Sequence, residues 1–111
     1  MLTFDEYQKR ALTTAKFSDD EFKDIMHWTL GITGEGGEIS EKFKKIIRDK
    51  GGVISAGDKV ELAKEIGDVL WYLAVLAHQL GMPFEELAQN NLGKLKSRKN
   101  RGVIGGSGDN R

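Results

Sequence analysis

The sequence predicts an all-α domain, a bundle of about four helices. Apolar residues recur at three- and four-residue intervals along most of the chain, and the period-two alternation that marks a half-buried strand is weak throughout. The strongest breakers fall where such helices would end, at Gly51-Gly52, at Gly81 and at the single proline, Pro83. A chain of 111 residues suits one domain with one core.

The first helix is expected to open after Thr3, an N-cap residue followed by Glu6 at capping-box spacing, with Phe4, Tyr7, Ala11 and Leu12 as its apolar stripe. Ser18 with Glu21 repeats the signature and is read as the second start. Phe22, Ile25, Met26, Ile32, Ile39, Phe43, Ile46 and Ile47 follow at helical intervals, to a stop near Gly51-Gly52. Gly31, Gly34, Gly36 and Gly37 interrupt this stretch, and each interior glycine costs about 0.8–1.0 kcal/mol relative to alanine. Close approach of another backbone or of a ligand would explain them, and so would a break between two shorter helices.

Asp58 with Glu61 is read as the third start. From Val60 to Leu80 the apolar positions cover more than a narrow stripe, which implies burial on two sides, by the core and by another subunit. Gly81 closes this helix as a C′ residue. The fourth is expected from Pro83, placed at N1, through Phe84, Leu87, Ala88, Leu92 and Leu95. Residues 1–101 are therefore expected to form one all-α domain, with 102–111 a glycine-rich tail.

Basic and acidic residues number 17 each, a balance that gives no argument for nucleic acid or a membrane surface as partner. The charge is nevertheless uneven: Lys94, Lys96, Arg98, Lys99, Arg101 and Arg111 face a single acid, Asp109, at the C-terminal end. Without cysteine there is no disulfide, zinc–thiolate site or thiol nucleophile. The N-terminus lacks the apolar core of a signal peptide and no apolar run approaches the ~20 residues of a membrane span, so a cytoplasmic protein is expected.

The chemistry is concentrated in two acidic pairs, Glu35-Gly-Gly-Glu38 and Glu65-Ile-Gly-Asp68. Spacing of i, i+3 sets both acids of a pair on one helix face. Glu61, Glu65, Asp68 and Tyr72 continue as one ridge of the third helix. A solvated stripe is the simple explanation of one such pair; two pairs, one surrounded by Ile66, Val69, Leu70 and Leu73, call for a counter-cation. Di-iron bundles use Glu-x-x-His units, and neither His27 nor His78 stands in one. Oxygen ligands alone point to Mg²⁺, with Mn²⁺ as a substitute, and such ions typically work on a substrate phosphate.

Glu35 to Glu38, followed by Glu65 to Asp68 and the segment Asn91-Leu-Gly-Lys94-Leu-Lys-Ser-Arg98-Lys-Asn-Arg101, resembles the MazG-like all-α nucleoside triphosphate pyrophosphohydrolase superfamily. The resemblance spans roughly residues 20 to 111. It implies hydrolysis of an NTP or dNTP between the α and β phosphates, for house-cleaning of nucleotide pools, with Glu35, Glu38, Glu65 and Asp68 as Mg²⁺ ligands and one of them orienting or deprotonating the water. Lys94, Arg98 and Arg101 would neutralise phosphate charge, although a solvated basic helix end is an equal alternative for them. Tyr72 and Asn91 are the candidates for base and sugar, with Trp28 and His27 behind them; Trp71 is assigned to the core or an interface and His78 to structure. Position 34 is glycine where many relatives carry a second acid, which leaves the metal count open.

The resemblance also implies a homodimer or homotetramer with sites completed across subunits. A related enzyme acting on phosphoribosyl-ATP or on dUTP or dCTP, and a non-catalytic helical dimer with a basic interaction tail, are the competing functions. For residues 102–111, folding over bound phosphates with Arg111 as a late contact, and disorder, are both open.

Overall fold

The computed structural model describes residues 1 to 111 and is all-helical: α1 (Phe4–Leu12), α2 (Glu21–Lys50), α3 (Ala56–Gln79) and α4 (Phe84–Asn100). The four-helix expectation holds, and α2 runs unbroken for 30 residues through its glycines. Thr3 caps α1 as expected, its hydroxyl accepting from the Glu6 amide at 3.0 Å.

The other starts shift, each for a local chemical reason. Asp20, not Ser18, caps α2 by accepting from the Lys23 amide, because Ser18 turns its own amide and hydroxyl to the buried Asp24 carboxylate. Ser55 caps α3 in a reciprocal capping box, so Asp58 is the third residue of that helix rather than its cap. Pro83 is the N-cap of α4, not its first residue, and offers no side-chain bond. Helix α1 supplies what is missing there: Gln8 Oε1 accepts from the Phe84 amide and Asp5 Oδ1 from the Glu85 amide.

Helices α2 and α3 form an antiparallel hairpin. The Gly51 and Gly52 amides both return to the Ile46 carbonyl, and both glycines take positive φ, a left-handed stop that a side chain would strain. Lys50–Asp58, Lys42–Glu65, Gly31–Tyr72 and Trp28–Gln79 then mark its register from the turn to the open end. At that open end α1 and α4 pack on α3, where Ala11, Ala74, Ala77 and Phe84 form a small core. Buried Gln8 ties it together, donating to the Ala74 and Met82 carbonyls.

Helix α4 does not reach α2. The radius of gyration is 17.1 Å, against about 13 Å for a compact domain of this size. Ile66 and Leu73 on α3 and Leu80 at its C-cap stand exposed at seven-residue intervals, the spacing of a helix-pairing seam. No helix is long and apolar enough to cross a membrane.

Candidate metal centre

Glu35 from α2 and Glu65 and Asp68 from α3 bring one carboxylate oxygen each to within 4.8 Å of one another. The i, i+3 spacing turns Glu65 and Asp68 to the same face of α3, and the hairpin register sets that face opposite Glu35. Glu35 and Glu65 are half-buried, while Asp68 is exposed. The Glu35 carboxyl faces that of Glu65 across the hairpin. Interaction with the Glu65 carboxyl first, then desolvation, then the charges of Asp68, Glu65 and Glu38, raise the Glu35 pKa. Glu38 is exposed, stands outside the close triad and acts on it through its charge.

The donor set fits a hard divalent cation: three carboxylates on two helices, no sulfur or imidazole among them, and a mutual repulsion that one cation relieves. Of the triad, Glu65 forms an ion pair within the chain, with the Lys42 ammonium at 3.7 Å.

Beside the triad lies an open cavity of about 380 Å³ walled by Glu35, Asp68, Trp71 and Tyr72. The Tyr72 ring rests on the α2 backbone at Gly31, where a β-carbon would overlap it. Gly31 is thus the one glycine of α2 that a close approach explains; Gly34, Gly36 and Gly37 face open space. Trp71 meets Tyr72 edge-on at 5.0 Å, and its indole donates to the Thr14 hydroxyl at 2.9 Å. Trp71 packs against the small core, as expected, and its place three residues after Asp68, a spacing that marks the same face, also sets it in the cavity wall. Trp28 is 2 % exposed, bonded to Gln79 and stacked on His27, so it backs the aromatic wall rather than facing the cavity. His78 lies at the edge of the same group against Phe17.

The basic segment lies elsewhere. Asn91 and Lys94 border a separate cavity of about 330 Å³ with Asn90, Leu87 and Met82. Lys94 pairs with Asp109 at 2.8 Å, and buried Arg98 donates to both the carbonyl and the carboxylate of Asp109. Arg101 donates to Ser97 and to the Arg111 carbonyl oxygen. Arg111 donates to the carbonyls of Val103, Ile104, Gly105 and Gly108, so the tail is a set of turns wound around its own last side chain. In this chain, the cations expected at the phosphates are engaged by the tail.

A family model, the MazG nucleotide pyrophosphohydrolase domain, matches residues 23–103. The Gene 37 protein of Mycobacterium phage L5 is similar, 49% identical over 111 residues that cover 96% of this chain and 97% of that protein. No solved structure matches.

Proposed function

Because the chain belongs to the MazG nucleotide pyrophosphohydrolase family, we propose that it hydrolyses nucleoside triphosphates, ribo or deoxy, between the α and β phosphates in a Mg²⁺-dependent reaction. The observation that carries this reading is the convergence of Glu35, Glu65 and Asp68 beside an open cavity with aromatic walls. Those three would hold the cation, with Glu38 turning inward from its exposed position as a fourth ligand. The chemistry a bound divalent cation supplies is neutralisation of phosphate charge and acidification of the attacking water.

The residues of the chain divide the remaining work. Tyr72 and Trp71 offer ring faces and edges to the base, and the triad, by fixing where a cation would sit, would fix where the α phosphate lies. Water forms a bond to the α phosphorus, the bond from that phosphorus to the α–β bridging oxygen breaks, and pyrophosphate departs. The water's proton passes to a carboxylate of the cluster.

Helix α4 does not reach α2, so Lys94, Arg98, Arg101 and Asn91 are assigned to the phosphates and sugar bound at the acids of a second copy of the chain. The exposed Ile66, Leu73 and Leu80 seam supports such a homodimer or homotetramer.

The test is pyrophosphate release from a panel of NTPs and dNTPs, with Mg²⁺ and with EDTA. Cation-dependent release of monophosphate and pyrophosphate, lost in Glu35→Gln, Glu65→Gln and Asp68→Asn, is expected. Orthophosphate and a diphosphate as products place attack at the γ position and overturn the reading.

A further inference from the structure

The geometry points to a subsite for the two terminal phosphates of the substrate, the departing pyrophosphate, formed by Lys42 and Lys45 in the groove between α2 and α3. This rests on the hydrolase reading above and adds to it residues of the chain that the basic C-terminal segment does not include.

Glu35, Glu38, Lys42 and Lys45 follow one another along α2 at steps of three, four and three, a single ridge. Asp68, Glu65, Glu61 and Asp58 run the opposite way along α3, because the hairpin is antiparallel. The groove between the ridges begins at the Trp71 and Tyr72 cavity, crosses the acidic triad and ends in a second cavity of about 190 Å³. Lys42, Lys45, Lys50, Asp49, Asp58 and Glu61 border that second cavity. From Glu65 to Glu61 is one helical turn, about 6 Å at 1.5 Å per residue, so the cavity starts within a turn of the metal centre.

The acids there are each taken by another cation, and two ammonium groups are left without a short ion pair, although Lys45 still feels Glu41 and Asp49 and Lys42 feels Glu61. Asp49 is paired with Arg48 at 2.7 Å, Asp58 with Lys50 at 2.8 Å and Glu61 with Lys64 at 2.9 Å. Lys45 forms no ion pair, and Lys42 has only the long 3.7 Å contact to Glu65. Glu65 is itself one of the acids that would hold the cation, so in the loaded protein the Lys42 ammonium loses the charge it faces. Glu61, the other acid near Lys42, is held by Lys64, so an ammonium on a flexible stem is left to reach the phosphates downstream of the α phosphorus. The polarity follows: the base lies at the aromatic end, the scissile phosphorus over the acids and the leaving group over the lysines.

Calorimetric titration of inorganic pyrophosphate into the Mg²⁺-equilibrated protein tests this, with a nucleoside monophosphate titrated in parallel. The Lys42→Gln/Lys45→Gln double variant is expected to bind pyrophosphate about tenfold more weakly or worse, as loss of charge-assisted hydrogen bonds implies, with monophosphate binding retained. Lys45→Glu alone touches no ion pair, so it keeps the fold, and it is expected to weaken pyrophosphate in the same direction. Pyrophosphate affinity equal to wild type in both variants overturns the subsite and makes these lysines solvated surface charges. If the wild-type protein binds neither pyrophosphate nor any triphosphate with Mg²⁺ present, the hydrolase reading itself falls and the subsite with it.

Discussion

The ring of Tyr72 lies across the α2 backbone at Gly31, where a β-carbon would overlap three of its ring atoms. Residue 31 therefore sets how far Tyr72 settles toward α2, and with it one wall of the cavity beside the acids. Gly31→Ala gains about 1 kcal/mol of helix propensity but forces the ring outward, an overpacking cost of about 1–3 kcal/mol. Gly34→Ala enters open space and keeps only the gain. Thermal melts are expected to move in opposite directions, Gly31→Ala below wild type and Gly34→Ala above it by about 1 kcal/mol. A higher KM with Gly31→Ala alone ties the ring position to substrate. Equal melting points in the two variants would show that Tyr72 is free to move aside.

The Glu35 pKa is raised, first by its interaction with the Glu65 carboxyl and then by burial and neighbouring negative charge. A carboxyl group whose folded value exceeds the ordinary 4.5 favours the fold while protonated. Its contribution is complete below that ordinary value and is lost as pH rises through the raised one. In EDTA the melting temperature is expected to fall across this window, and Glu35→Gln is expected to flatten that part of the profile. A cation that binds only the native state adds about 2.7 kcal/mol at a hundredfold excess over its Kd. Melts with Mg²⁺ at neutral pH should therefore recover the loss in wild type and not in Glu35→Gln; no Mg²⁺ response in wild type would remove the metal centre.

Asp58 has the opposite sign. The Lys50 ammonium first, then the Ser55 amide and hydroxyl, draw its pKa down to about 2. A depressed carboxylate stabilises the fold above its ordinary value of 3.8 and loses that contribution as pH falls through about 2. Asp58→Asn is expected to lower the melting temperature at neutral pH and to shrink the loss on acidification. Ser55→Ala removes the other half of the capping box at a cost of about 1 kcal/mol, measurable by urea denaturation.

The helices were legible because apolar periodicity survives any tertiary arrangement, and the hairpin stop because glycine pairs take positive φ without strain. Thr3 was legible as a cap, but the starts of α2, α3 and α4 were not. Ser18 and Asp20 are chemically equivalent starts, and only the buried Asp24, which captures Ser18, decides between them. At the candidate site, i, i+3 spacing set Glu65 and Asp68 on one face of α3, but it could not show that Glu35 meets them while Glu38 stays exposed, since that follows from the register of the hairpin. The core packing of Trp71 was legible too; its second place in the cavity wall was not, because it lies off the step of four from Asp68 to Tyr72 and joins the site by a step of three. The basic segment was read correctly as charge and incompletely as place. Its direction depends on the α3–α4 turn, and its nearest acid, Asp109, is closer in sequence than any acid of the metal centre.

That nearby acid yields the last prediction. The Asp109 carboxylate accepts from Lys94 and Arg98, which hold its pKa below the usual aspartate value, Lys94 first. A carboxylate on two cations that are assigned to phosphate is a competitor built into the tail. Asp109→Asn keeps the Arg98 bond to the residue 109 carbonyl and removes the negative charge, so α4 stays packed while the cations are freed. The expected result is a KM for triphosphate lowered by no more than a few-fold, since one partner of each pair is solvent-exposed, with kcat unchanged. Lys94→Gln in the same background should cancel the gain. The gain should also shrink at high salt, where exposed charges are screened. A KM that rises in Asp109→Asn would mean that the tail positions Lys94 and Arg98 for substrate instead of competing for them.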